Sequence, residues 1–173
     1  MVVDLRKKQI AKIIAKSWVD DDFRVALIAD PVGVITGFGV RLTEGMTLEI
    51  LQDTDQLVFI VLPAPPWVIP THLTMFPYLD DDANELQRTM GDIASRSWID
   101  DAFKSRLKSN PRQCLAEEGA KPDADTAMEL RENTANRMYL SLPVKPDLSD
   151  LSETEIEALA ESKVMGVSSE KLY

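Results

Sequence analysis

Sliding the chain against itself by 80 residues brings SWVDDDF (Ser17–Phe23) onto SWIDDAF (Ser97–Phe103). The agreement continues in that register without a gap. Phe23 falls on Phe103, Leu27 on Leu107, Pro31 on Pro111, Gly39 on Gly119, Glu49 on Glu129 and Thr54 on Thr134. QLVFIVLP (Gln56–Pro63) lands on NRMYLSLP (Asn136–Pro143). A match held from Ser17 to Pro63 is the mark of a duplicated module, whereas chance yields one short motif.

Both copies read alike. Ile10, Ile13, Ile14, Trp18, Phe23 and Leu27 follow helical spacing, as do Met90, Ile93, Trp98, Phe103 and Leu107. Asp30-Pro31 and Asn110-Pro111 are a helix stop and a new start, since Asp or Asn caps and proline fits the first helical position. Gly39 and Gly119 stand where the second, short helix ends in a left-handed cap. TLEIL (Thr47–Leu51) and QLVFIVL (Gln56–Leu62) flank Asp53–Asp55, a turn composition, and are expected to form a β-hairpin. AMELR and NRMYLSL around ENTA are its second copy. The expected fold class is α+β: two tandem helix-helix-strand-strand repeats, packed as a pseudo-twofold unit or standing as two independent beads, plus a C-terminal amphipathic helix. Self-association through the hairpins is a further expectation, because a two-stranded hairpin is marginal alone. The expected divisions are 1–66 for the first repeat, 67–87 for a proline-rich linker, 88–146 for the second repeat and 147–173 for an acidic tail. Trp67, Val68, Ile69, Met75, Phe76 and Tyr78 suit a linker that packs on a domain.

Composition narrows the function classes. With 45% hydrophobic residues the chain is globular, and a formal net charge of -10 disfavours nucleic acid and anionic membranes. One cysteine, Cys114, permits neither an intrachain disulfide nor a thiolate cluster, and suits a reducing, cytoplasmic setting. The start MVVDLRKKQ lacks the apolar region of a secretory signal, and LVFIVLPAPPWVIP is too short and too rich in proline to span a bilayer.

The ordered combination is W-x-D-D-x-F, L-x-x-D/N-P, a glycine, an L-E or M-E strand, a D-T or N-T turn, then QLVFIVLPAPP. It resembles the nitrile hydratase alpha-subunit superfamily over Gln9–Pro66 and Arg88–Pro146. More closely it is similar to the nitrile-hydratase-like leader peptides of ribosomally made, post-translationally modified natural products. The enzymes of that superfamily hold cobalt or iron in a C-T-L-C-S-C claw at the end of a strand. By the resemblance, Ile60, Pro63 and Pro65 stand where the three cysteines would, and LSLPVK (Leu140–Lys145) is the second copy of that stretch. None of the three ligates a soft metal, so no cofactor and no enzymatic activity are expected. Cys114, whose counterpart is Val34, is expected to lie nowhere near that stretch.

The leader resemblance implies a folded handle held by a maturation enzyme, with a peptidase or exporter acting at the tail. LSETEIEALA (Leu151–Ala160) resembles the leader ending, and Glu161-Ser162 replaces the double glycine expected there. Ser152 and Glu155 form a capping box, Leu151 and Ile156 a hydrophobic staple, and Ile156, Leu159, Ala160 and Val164 an apolar face. Recognition or processing is therefore assigned to Leu151, Ile156, Leu159, Ala160 and Gly166, and modification to Ser168, Ser169 and Lys171. Other features have plainer readings. Trp18 and Trp98 are core residues, Asp20–Asp22 and Asp80–Asp82 solvated helix ends, Cys114 a buried small apolar residue, and LPAPP (Leu62–Pro66) a strand stop. His72 has no acid or nucleophile placed near it in the sequence. The first expectation is a natural-product precursor presenting its tail to maturation enzymes. A non-catalytic scaffold or binding protein built on the leader fold is the alternative, and a hydratase-type metalloenzyme subunit the third.

Overall fold

A computed structural model describes residues 2–40, 42, 44–65, 67–68, 85–120, 122 and 124–163. The first half runs α1 (Val2–Val19), α2 (Asp21–Ala29), α3 (Pro31–Gly37), β1 (Thr47–Gln52) and β2 (Leu57–Leu62). The second runs α4 (Glu85–Ile99), α5 (Asp101–Ser109), α6 (Pro111–Glu117), β3 (Ala127–Glu132) and β4 (Arg137–Leu142). Helix α7 (Glu153–Ser162) follows. The single long helix expected through Phe23 and Phe103 is two. Asp20 leaves helical geometry and its Oδ1 accepts the Phe23 N–H at 2.8 Å; Asp100 does the same for Phe103. The middle of each repeated motif is thus a helix N-cap. Asp30 and Asn110 cap the next helices, with Pro31 and Pro111 in the first turn. Gly39 and Gly119 take φ of 79° and 96°. The residue after each donates back to the helix, Val40 to Ile35 and Ala120 to Leu115, which makes a Schellman closure.

The expected hairpins do not form. β1 pairs in parallel with β4, Thr47 opposite Arg137, and β2 pairs in parallel with β3, Leu57 opposite Ala127. A shift of 80 turns each of these pairings into the other, so the strands obey a pseudo-twofold exchange. The turn between β1 and β2 does close, through Thr54 N–H to the Leu57 carbonyl at 2.8 Å. What stops a ladder is the residue before it. The Gln56 and Leu62 carbonyls face β3, so the Phe59 N–H points to the opposite edge. There the Asp53 carboxylate takes it at 3.0 Å, as Asn133 takes the Tyr139 N–H at 2.8 Å. The backbone N–H of Asp53 itself goes to Leu142. The D/N-T signature is therefore a side-chain cap on a strand edge.

The exchange divides the core. Met138, Leu140 and Leu142 of β4 join Leu48 of β1 under α1, with Trp18, Leu27 and Ile35. Val58, Ile60 and Leu62 of β2 join the helices of the second half, with Met90, Ile93, Phe103, Leu107 and Leu115. The opposite faces of the strands, Leu51, Val61 and Tyr139 with Phe59 beside them, meet between the two sheets. The repeated tryptophans tie the exchange down. Trp18 Nε1–H donates to the Pro143 carbonyl at 3.2 Å, and Trp98 Nε1–H to the Pro63 carbonyl at 2.9 Å. Each indole thereby holds the strand exit of the other half, and no helix among the described residues is long and apolar enough to cross a membrane.

If each half needs the other's second strand, neither is a folded monomer alone. Residues 1–84 and 85–173, expressed separately, are expected to be unfolded or self-associated by circular dichroism and size-exclusion chromatography, and to recover the native spectrum when mixed. A folded monomeric half would refute the exchange.

Candidate functional site

The strand exits are where the resemblance locates metal chemistry. Ile60 is fully buried in β2, inside the second core. Pro63 is buried and ends the strand, having no N–H to offer a ladder, and its carbonyl is taken by Trp98. Ala64 is buried and Pro65 half-buried. An aliphatic side chain and two prolines fill the three positions, so the donor set does not fit a soft-metal claw. Among the described residues no three His, Cys, Asp or Glu side chains gather as a metal site requires. One expectation is corrected here. Cys114, remote from this stretch in the sequence, lies in the same core as Ile60 and Leu62, because the exchanged β2 packs on the helices of the second half. It remains one thiol, and burial pushes its pKa up, which keeps it protonated and unreactive.

Sequence reasoning assigned no role beyond a turn to Asp53, yet it is a buried carboxylate between the two halves. It is 4% exposed. Its Oδ1 accepts from the Phe59 N–H and, at 2.9 Å, from the Ser141 hydroxyl of the other half, while Oδ2 is buried without a hydrogen-bond partner. Burial raises its pKa to about 6, against the two hydrogen bonds that lower it. Its counterpart, Asn133, does the same capping without a charge. The mismatch between the two copies at this position was the available signal.

The tail helix is part of the fold. Ile156 and Ala160 are buried in the first core, with Leu148, Leu151 and Leu159 packed against it. The capping box is present, Ser152 N–H to Glu155 Oε2 at 2.8 Å and Glu155 N–H to Ser152 Oγ at 3.4 Å. A groove of about 460 Å³ runs between α1 and α7, floored by Ala15, Val19, Phe38 and Ile156 and edged by charges such as Lys12 and Glu157. Thus Leu151, Ile156, Leu159 and Ala160 come together, and the face read as apolar is turned to α1. Gly166, Ser168, Ser169 and Lys171 lie outside the described residues, as do Val164, His72, Asp80–Asp82 and the linker residues Ile69, Met75, Phe76 and Tyr78. Trp67 is described, edge-on to Trp98 at 6.0 Å between ring centroids.

Two outcomes follow. The folded-state pKa of Asp53 exceeds the ordinary value, so its contribution favours folding most below pH 3.8 and is lost as pH rises through about 6. Asp53→Asn is expected to stabilise the protein at pH 7.5 by up to about 3 kcal/mol and by little at pH 3.5, read from urea midpoints at both pH values. Equal effects at the two would refute the assignment. Ile156→Ala is expected to cost about 2–4 kcal/mol on the same measurement, as a cavity at a buried site does; a cost near zero would mean that α7 is not docked.

The alpha chain family of nitrile hydratases matches residues 3–73 and 88–168, the second segment running through α7. The low-molecular-weight cobalt-containing nitrile hydratase subunit alpha of Rhodococcus rhodochrous is 25% identical over 143 residues. That match covers 79% of this chain and 58% of the relative's length, so this chain spans little more than half of it. The cobalt-containing nitrile hydratase subunit alpha of Pseudonocardia thermophila is 24% identical over 157 residues, 90% of this chain and 69% of that one. Among solved structures, an iron-type nitrile hydratase double mutant from Comamonas testosteroni Ni1 superposes with a TM-score of 0.64 at 20% identity, covering 92% of this chain and 71% of that one. A thiocyanate hydrolase mutant gives 0.61 at 20% identity, with 93% and 72% covered. These structures share the fold, and the two matched segments reach from α1 through α7: the chain belongs to the nitrile hydratase alpha chain family.

Proposed function

We propose that this chain is a non-catalytic member of its family, a scaffold that works by holding a partner chain. One observation carries the reading. The strand exit that would present three sulfur ligands presents Ile60, Pro63 and Pro65, with Ile60 buried and the Pro63 carbonyl taken by Trp98. The relatives are named as subunits of hydratases, which argues for a shared architecture. The chemistry named for them needs donors that these positions lack. A chain that keeps the fold and lacks the ligands retains a surface as its means of action.

The precursor reading is second, supported by the resemblance of Leu151–Ala160 to a leader ending. The placement of α7 weighs against a free recognition helix, since its apolar face is used on α1. Its exposed acidic residues, Glu153 and Glu155, remain for a maturation enzyme to hold.

The test is metal content and activity. Protein produced with cobalt or iron in the medium is expected to carry far less than one metal per chain by elemental analysis and to hydrate no nitrile. Equimolar metal, or nitrile hydration, would overturn the reading. Intact mass of protein from its own host separates the other two: an unmodified mass supports the scaffold, while a shift placed on Ser168, Ser169 or Lys171 would establish the precursor.

A further inference from the structure

The two halves differ on the outer side of their second and third helices. On α2 and α3, Val25, Ile28 and Val32 are 65%, 38% and 38% exposed, with Ala29 exposed between them. Val25, Ile28 and Ala29, three and four apart, share one face of α2, and Val32 follows in the first turn of α3. Their counterparts, 80 residues on, are Ser105, Lys108, Ser109 and Arg112. Those residues serve the fold. Lys108 Nζ meets Glu132 Oε2 at 2.7 Å, and the Arg112 guanidinium donates to the Thr126 carbonyl. Lys104 joins the same carboxylate, completing a polar latch between α5 and β3. In the first half Gln52 replaces Glu132, and Arg24 donates to it at 2.9 Å, which keeps one strand of the latch. The other positions have become aliphatic. The architecture does not require an apolar residue at any of them, since the other copy holds the same fold with polar ones.

The rim of the stripe is acidic. Asp21 and Asp22 are exposed at the start of α2, and Asp30 is exposed at the junction. A second copy of the chain would bring these carboxylates against their own kind, on a protein already at -10. We infer that this stripe is a docking surface for a partner protein that presents an amphipathic helix, apolar along one face and flanked by lysine or arginine. An apolar strip gives affinity, and the opposite rim charges give register and speed of association. The inference rests on the scaffold reading and names the surface that it uses.

The probe is an 18-residue leucine-lysine amphipathic peptide titrated calorimetrically into the full chain, against V25S/I28S/V32S, which leaves the charge unchanged. Circular dichroism first establishes that the variant is folded, and V25S/I28S is measured in parallel in case the triple variant is not. Binding by the native chain, weakened roughly tenfold or more in the serine variants and by raised salt, is the expected result. Equal binding by native and variant protein would overturn the inference, since attraction to the net charge alone would then account for it. No binding by the native chain would overturn it too. So would a dimer of the native chain in sedimentation that the serine variants lose, which would give the stripe to a second copy. Each of these leaves the scaffold reading standing, because that reading falls only on metal content, nitrile hydration or tail modification.

Discussion

Everything in this molecule depends on the exchange of second strands between its halves. β2 leaves the first half to pair with β3, and β4 leaves the second to pair with β1. Two parallel strands need a long connection, and here the helices of the second half lie within it for both pairs. The result is two cores, each roofed by one strand from either half. The Trp–Pro bonds and the Asx edge caps are the local means by which this arrangement is held.

The same exchange sets the surroundings of the Ile60–Pro65 stretch. An end of β2 that pairs with β3 and packs on α4 and α5 sits against the helices of the other half. Ile60 and Leu62 contribute apolar area there, and proline ends the ladder where the chain must leave. Apolar residues suit such a place, since buried aliphatic side chains add stabilisation while unpaired polar ones subtract it. The buried Asp53 is the exception. Its Oδ2 finds no partner, and the fold tolerates that cost because Oδ1 joins β2 and β4 at the centre of the exchange.

Duplication also frees one copy from constraints that the other still meets. The Lys104–Glu132–Lys108 latch fastens α5 to its sheet. The first half fastens α2 with Arg24 and Gln52 and leaves its outer positions to other uses. The groove between α1 and α7 is an asymmetry of the same kind, since Phe38 on its floor has Glu118 as its counterpart.

What the sequence determined by itself was local and repetitive. The caps at Asp30 and Asn110, the left-handed glycines, the capping box before α7 and the strand positions are set by residues close in the chain, whose hydrogen bonds need nothing remote. That Ile60, Pro63 and Pro65 offer no metal-binding side chain was legible for the same reason, because residue type alone decides whether an atom can bind a metal. Strand partnership was not legible. A turn composition at Asp53–Asp55 is compatible with a hairpin and with an edge cap alike, and only the presence of β3 and β4 as alternative partners selects between them. Tertiary structure also decided that Cys114 shares a core with Ile60, that α7 spends its apolar face on α1, and that Val25, Ile28 and Val32 stay in water. Each of these depends on which surfaces meet once the strands have crossed, a contest of buried area between distant segments that no short stretch of sequence encodes.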